Sequence, residues 1–306
     1  MIRFLAGRFL QSVFILLGVT IITFGLLFLI PVDPARMIAG RSATPQTVES
    51  IRHQLGLDRP IPVQYARYLG NLVQGDMGRS YVQKARVSEL IASRLPATLQ
   101  LMAAAIFFEL LIGLPAGIFA ATRRNRPSDK AVMVFSFVGV SAPQFVVGLL
   151  LIYVFAYQLE LFPLGGYGTI WHVVLPALTL GVTIAGWYSR MSRSSMVDVL
   201  SQDYIRTARA KGVTESRVVM VHGLRNAILP IVAMIGIDIG LYAQGIVVVE
   251  AVFGWPGIGQ LAWLAIQRID IPIIMGVTLV AAVGIVIGNL LADIATSLID
   301  PRVRHG

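Results

Sequence analysis

Residues 97–121 read "ATLQLMAAAIFFELLIGLPAGIFAA", an apolar stretch with one ionisable side chain, Glu109. As a helix it would be about 38 Å long, enough to cross a hydrocarbon layer of roughly 30 Å. It is followed at once by "TRRNRPSDK" (122–130), which gathers Arg123, Arg124, Arg126 and Lys130. Arg and Lys in short loops stay on the cytoplasmic side, so this apolar run reads as a membrane span that ends there.

The pattern recurs in both directions. Apolar runs at Phe9–Ile30, Ala131–Tyr157, Val173–Trp187, Ala227–Val252 and Ile271–Ile299 bring the total to six. The Val173–Trp187 run is short and carries Pro176 and Gly181, but omitting it would put the basic segments on opposite sides of the membrane. With it, Arg190, Arg193, Arg206, Arg209, Lys211, Arg217 and Arg225 fall on the cytoplasmic side, as do Arg302 and Arg304 of the tail. The short loops facing the other way, "QLELFPLGGYGT" (158–169) and "FGWPGIGQLAWLAIQRID" (253–270), hold only Arg268. Residues 31–96 are also basic, but long loops cross largely regardless of charge. The first run follows Arg3 and Arg8, is too long for a signal-peptide core and lacks a small-x-small cleavage site. It reads as a retained signal-anchor helix.

Composition agrees. Of 306 residues 56% are hydrophobic and 13% charged, against about 25% charged in soluble domains. Too little charge is present to clothe a globule in water. The net charge of +9 would ordinarily point to nucleic acid or anionic lipid, but here its placement follows the cytoplasmic loops. The expected fold is an all-α integral membrane protein with six transmembrane helices and both termini cytoplasmic. A long, partly helical external loop joins the first two helices. The expected divisions are residues 1–30 (cytoplasmic N-terminus and first span), 31–96 (external lid), 97–299 (transmembrane core with a cytoplasmic loop at 190–226) and 300–306 (cytoplasmic tail).

Chemistry is excluded on several counts. There is no cysteine, no G-x-x-x-x-G-K-[ST] phosphate loop, no H-E-x-x-H and no G-x-S-x-G. The four histidines, His53, His172, His222 and His305, have no metal-ligand spacing. The chain is expected to be neither an ATPase nor an intramembrane hydrolase, and to hold no metal.

In the external segment, Thr44 is placed to cap a helix with Pro45 in its first turn and Gly56 and Pro60 ending it. Val48, Ile51 and Leu55 share one face. A second helix is expected over "VQYARYLGNLV" (63–73), stopped by Gly75. These helices read as a lid packed on the bundle, with contact to an external partner or substrate entrance as a compatible role.

The cytoplasmic stretch "SQDYIRTARAKGVTESR" (201–217) predicts another short helix. Ser201 is placed to cap it, Asp203 lies in its first turn, Arg209 and Lys211 in its last, and Gly212 ends it; acid first and base last complements the helix dipole. Thr214 is placed to cap the next helix. Tyr204, Ile205 and Ala208 form a narrow apolar face flanked by Thr207. Such a helix either lies on anionic lipid or docks into another protein. The small size of its face favours docking, since lipid-lying helices usually carry Trp, Phe or Leu.

The stretch from Asp203 to Pro230, "DYIRTARAKGVTESRVVMVHGLRNAILP", resembles the cytoplasmic signature loop of binding-protein-dependent ABC import permeases of the dipeptide/oligopeptide/nickel branch. The general pattern, Glu-Ala-Ala, three residues, Gly, then a later Ile-x-Leu-Pro, falls on Arg206, Thr207, Ala208, Gly212, Leu229 and Pro230. Arg-Thr-Ala and the longer Gly-to-Pro spacing are similar to the peptide branch. "PVDPAR" (31–36), "LGLDRP" (55–60), "QGDMGRS" (74–80), "RLPATLQL" (94–101), "VVVEAVFGWPGIGQL" (247–261) and "DPRVR" (300–304) extend the likeness over the whole chain, with Val32 where that branch usually has Gly. "ARMIAG" (35–40) and "VDVLSQDY" (197–204) are similar to glutathione-importer permeases within it.

The resemblance implies a coupling helix seated in a groove on a separate ATPase subunit, with Tyr204, Arg206, Thr207, Ala208 and Gly212 as its contact residues. It implies a second, paralogous permease, two ATPase subunits holding ATP and Mg, an external or periplasmic substrate-binding protein, and a plasma (inner) membrane location. No cofactor is implied on this chain. The expected function is import of short peptides. Alternatives are the same architecture carrying glutathione or nickel, or an ion-coupled carrier that uses Asp238 or Glu109.

Glu109, Asp238 and Asp293 lie inside apolar runs, where a central acid costs about 2.5–3.5 kcal/mol. They must face protein or water, as interhelical hydrogen bonds or as a polar path. The candidate path is Glu109, Asp238, Tyr242 one turn on, and Gln244. Asp293 is nearer the cytoplasmic end. The small pairs Gly113/Gly117, Gly236/Gly240 and Gly284/Gly288 allow close helix contacts, within the bundle or with a second permease. Glu250, Phe253, Trp255, Pro256 and Gly257 form the candidate external gate loop, either an interfacial aromatic belt or a stiff re-entrant turn.

Overall fold

The computed structural model describes residues 2–29, 33–40 and 42–299; Pro31, Val32, Arg302, Arg304, His305 and the "DPRVR" motif lie outside the described residues. Among the described residues every regular element is helical. In chain order they are α1 (Ile2–Leu29), α2 (Pro34–Ala39), α3 (Pro45–Leu55), α4 (Ile61–Val73), α5 (Val87–Thr122), α6 (Pro127–Ser141), α7 (Gln144–Gln158), α8 (Ile170–Leu200), α9 (Asp203–Ala210), α10 (Glu215–Ala227), α11 (Leu229–Ala243), α12 (Val247–Phe253), α13 (Ile258–Gln267) and α14 (Ile271–Ile299). α5, α8 and α14 are each long and apolar enough to cross a membrane, as are the bent pairs α6–α7, α10–α11 and α12–α13 taken as one span each, and α1 carries the shorter apolar helix Leu10–Gly25.

Local chemistry explains the boundaries. Thr44 Oγ1 accepts from Thr47 N–H at 3.3 Å, Pro45 fills the first turn of α3, and Gly56 ends it at φ +69°. α2 was not foreseen; Asp33 caps it by accepting from Ala35 N–H at 3.0 Å and pairs with Arg52 of α3 at 2.6 Å. α6 and α7 meet at 101° where Pro143 removes a backbone donor. α10 and α11 meet at 51° around Ile228, just before Pro230.

Two expectations are corrected. The short fourth run is the middle of a 31-residue helix, α8, which continues through Pro176. The fifth run does not extend to Val252: α11 stops at Ala243, and Glu250 lies on the separate helix α12. The break falls at Gly245, whose φ is +93° and whose backbone lies so close to that of Gly259 that a Cβ has no room. Only glycine fits there.

The described chain forms two compact units. The first comprises Met1–Thr98, Gln244–Val247 and Gly257–Gly284. Its core joins Val87 and Ile91 to Ile258, Leu261, Ala265, Ile273 and Val277, and a second cluster joins Phe24, Ile271 and Met275 to Tyr65, Tyr68 and Tyr81. Buried Asp270 gathers the loop before α5 by accepting from Ser80 Oγ, Tyr81 N–H (3.1 Å) and Val82 N–H (3.2 Å). Burial, reinforced by the Asp270 carboxylate, pushes the Tyr81 phenol up to about 12.

The second unit comprises Leu99–Ala243, Val248–Pro256 and Ile285–Gly306. Here α8 runs between close neighbours. A Cβ on Gly113 of α5 would lie 2.6 Å from Tyr188 Cβ and 2.7 Å from Ala185 O, and one on Gly139 of α6 would lie 2.9 Å from Val182 O. Gly288 of α14 and Gly236 of α11 bring those helices together similarly, a Cβ on Gly288 meeting Gly236 O at 2.5 Å. These glycines serve packing within the chain. Gly113→Leu is expected to reduce the amount of permease in the membrane at least severalfold, checked by quantitative immunoblot, because backbone on α8 cannot yield.

Candidate functional site

The cytoplasmic helix α9 forms where expected, with one correction at its start. Ser201 ends α8 and its hydroxyl donates to Asp198 O at 2.7 Å; Gln202 occupies the cap position without a side-chain capping bond, its Nε2 donating back to Asp198 O at 3.4 Å. Inside α9, Thr207 Oγ1 donates to Asp203 O (3.0 Å) and Arg206 reaches Asp203 Oδ1 (3.3 Å). Gly212 ends the turn at φ +75°. Arg209 grips Glu215 of α10 with two bonds, Nε to Oε2 at 3.0 Å and Nη2 to Oε1 at 2.7 Å. Asn226 Nδ2 donates to Tyr204 Oη at 2.9 Å.

The apolar side of α9 differs from expectation. Ile205 is fully buried in its own chain and Ala208 is half-buried, so most of that side anchors the helix rather than being displayed. Burying Ile205 contributes about 1.5–3 kcal/mol. Tyr204, 44% exposed, faces outward with Arg206 and Thr207, and Gly212 is exposed at the end. The result is a short helix fixed from behind and presenting a mixed polar and aromatic surface.

A second assembly lies inside the spans. Tyr242 of α11 donates to Glu109 Oε1 on α5, and Tyr188 of α8 donates to Asp238 Oδ2 on α11. Glu109 is 0% and Asp238 9% exposed. The second carboxyl oxygen of Glu109 is buried without a hydrogen-bond partner among the described residues. Three helices are thus tied by two phenol–carboxyl bonds, which relieve much of the cost of placing acids at that depth. The cluster unites three of the four candidate path residues. Gln244 is exposed in the break after α11 and is not part of it. Tyr188 was missed because the fourth apolar run was ended at Trp187; its neighbours Gly186 and Ser189, both buried, were the available signal. Asp293 is half-buried on α14.

Toward the cytoplasmic ends of α6 and α8, buried Asp129 accepts from Arg193 through Nε (2.6 Å to Oδ1) and Nη2 (2.7 Å to Oδ2), and Oδ2 also accepts Asn125 N–H at 2.9 Å. Neither residue's partnership was read from sequence, since Asp129 sat among loop cations and Arg193 was counted only as charge.

The candidate gate residues sit at a break between helices. Glu250 and Phe253 are buried on α12, Gly254 has φ +61°, and Trp255 N–H donates to Glu250 O at 2.8 Å. Gly166 N–H donates to Phe253 O at 2.7 Å, and Tyr167 meets the Trp255 ring edge-on at 4.9 Å. Trp255 is fully buried, so it is not a lipid-belt residue; Trp263 remains 46% exposed. Pro256 is half-buried, and buried Gly257 precedes α13.

Residues 113–305 match the family described as binding-protein-dependent transport system inner membrane component, and residues 1–102 match its N-terminal membrane component. Glutathione transport system permease proteins GsiC of Salmonella paratyphi A and of Escherichia coli are each 42% identical over 305 residues, covering all of both chains. Among solved structures, the MetNI methionine ABC transporter in inward-facing conformations aligns with TM-scores of 0.57 and 0.54 at 19% and 21% identity. These alignments cover 69% and 70% of this chain and 96% of each transporter chain, a likeness of fold. The chain therefore belongs to the binding-protein-dependent ABC importer permeases, multi-pass inner-membrane subunits whose ATPase activity resides in other subunits.

Proposed function

We propose that this chain conducts short peptides, glutathione-like tripeptides among them, into the cytoplasm. It would pair with a paralogous permease, receive substrate from an external binding protein and be driven by two ATPase subunits that hold ATP and Mg. The observation that carries this reading is α9, a helix buttressed by Ile205 and the Arg209–Glu215 clip with Tyr204, Arg206 and Thr207 turned outward. A contact that transmits force needs such rigidity, since a helix that yields passes no motion to the spans. Tyr204, Arg206, Thr207, Ala208 and Gly212 are the proposed coupling residues. A stand-alone ion-coupled carrier is incompatible with the family.

In this reading Glu109, Asp238 and Tyr242, with Gln244 farther out, belong to the polar path, and Glu250, Phe253, Trp255, Pro256 and Gly257 to the external gate. The Tyr–carboxyl bonds would hold the spans in one arrangement and exchange partners in another. Asp238→Asn and Glu109→Gln keep an acceptor for the tyrosine hydroxyl but remove the ionisable carboxyl, and each is expected to lower uptake by about tenfold or more with normal membrane abundance. Unchanged uptake in both variants would remove these residues from the path.

Substrate class is tested by uptake of labelled dipeptides, tripeptides, glutathione and nickel in cells deleted for this gene. Loss of peptide or glutathione uptake, restored by the gene, is expected. Loss of nickel uptake alone would overturn the proposal.

A further inference from the structure

Arg190 lies on α8 three residues before Arg193, hence about 4.5 Å farther from the cytoplasmic end. Lysine and arginine near a membrane surface usually extend toward water. Arg190 does the reverse. Its guanidinium lies 4.3 Å from the ring centre of Trp187, one turn outward on α8, and 4.8 Å from that of Phe137 on α6. Phe137 is eight residues beyond Asp129, about 12 Å deeper into the membrane along α6.

Within that aromatic cradle, Nε and Nη2 of Arg190 are buried and have no hydrogen-bond partner among the described residues. These two nitrogens form the edge of the guanidinium that grips a carboxylate with parallel bonds. The same edge is filled on Arg193 by Asp129 and on Arg209 by Glu215. On Arg190 it is empty. Phe137 (55%) and Trp187 (52%) are exposed at the surface of the chain, so the cradle faces whatever lies beyond α6 and α8. A cation at this depth does not face hydrocarbon; it faces protein or a polar path.

We propose that Arg190 is a carboxylate seat on the translocation path. When the spans rearrange during transport, its edge is uncovered and takes the free carboxylate of the passing peptide. The proposal rests on the peptide-import reading above. The aromatic rings hold the guanidinium flat and dry, which strengthens its hold on a carboxylate and leaves an amide, with no charge, poorly bound. Closing the seat again behind Trp187 and Phe137 would release the peptide inward.

The test uses proteoliposomes containing the complete transporter and its binding protein, the latter saturated with either a labelled peptide or the same peptide amidated at its C-terminus. The wild type should import the acid at least about tenfold faster than the amide, and Arg190→Gln should bring that ratio close to one, with Arg190→Lys between them. An unchanged ratio in Arg190→Gln, while the wild type imports peptide, overturns the seat and leaves the import reading intact. If acid and amide import fall together and the variant transporter dissociates on gel filtration, the carboxylate belongs to an adjoining subunit and the proposal fails. If the wild type imports neither ligand, the peptide reading itself fails and the seat with it.

Discussion

Gly212→Val abolishes ATP-driven uptake while the permease still reaches the membrane in normal amount; this is the expected result of a change that acts on backbone alone. Gly212 has φ +75°, in the left-handed region, and a Cβ built there meets nothing within 4 Å. Crowding is therefore absent, and the penalty is conformational. A left-handed L-residue costs roughly 1–2 kcal/mol, and a β-branched one more. The turn that closes α9 has Val213 N–H bonded to Ala208 O at 3.2 Å and Gly212 N–H to Arg209 O at 2.9 Å. Pushing φ negative breaks that turn and swings the segment toward Glu215, so Tyr204, Arg206 and Thr207 lose their fixed presentation. Asparagine tolerates the left-handed region, so Gly212→Asn should keep most activity. The expected order of uptake is Gly, Asn, Ala, Val, with ATP hydrolysis by the assembled transporter persisting but no longer tied to import. If Val and Asn transport equally, the geometry of this turn plays no part in coupling.

Much of this was legible before any coordinates. α3 follows from Thr44, Pro45 and Gly56 because caps and left-handed stops act over a few residues. The Gly212 end of α9 was legible for the same reason, whereas its start was not. What failed depended on distant partners. The fourth run looked short because α8 turns polar, with Thr179 and Thr183 buried within the run and Ser189 and Ser192 buried just beyond it. Threonines there donate to carbonyls one turn back, Thr179 to Leu175 O at 2.8 Å and Thr183 to Thr179 O at 2.9 Å. A helix enclosed by other helices can carry such groups, whereas hydropathy scores it as though lipid surrounded it. The fifth run was overextended because its break answers to the approach of Gly259 to Gly245, far apart in hydropathy terms from any apolar signal. Glu109, Asp238 and Tyr242 were readable as acids and a phenol out of place in oil, but the partner of Asp238 is Tyr188, which belongs to a helix whose end was misjudged.

Arg193→Ala should be more damaging than Asp129→Asn, although both break one ion pair. The pair joins α6 to α8 with bonds of 2.6 and 2.7 Å, and the side chains are unequally exposed, 27% for Arg193 and 3% for Asp129. Removing the arginine strands a buried carboxylate, a loss of about 3–5 kcal/mol. Removing only the charge of Asp129 leaves an amide that still accepts from Arg193 and from Asn125 N–H, while the partly solvated guanidinium keeps water, so about 1–2 kcal/mol is lost. Replacing both residues, Asp129→Leu with Arg193→Met, should restore stability toward wild type because no uncompensated charge remains. Thermal aggregation of the detergent-solubilised transporter measures this order. Uptake need not follow it. α8 leads through Ser201 and Gln202 straight into α9, and the pair ties α6 to α8. The apolar double variant should therefore fold well yet import several-fold more slowly per transporter, because a greasy contact slides where a two-point ion pair holds register. A double variant that is both stable and fully active would show that α6 follows α8 through packing alone.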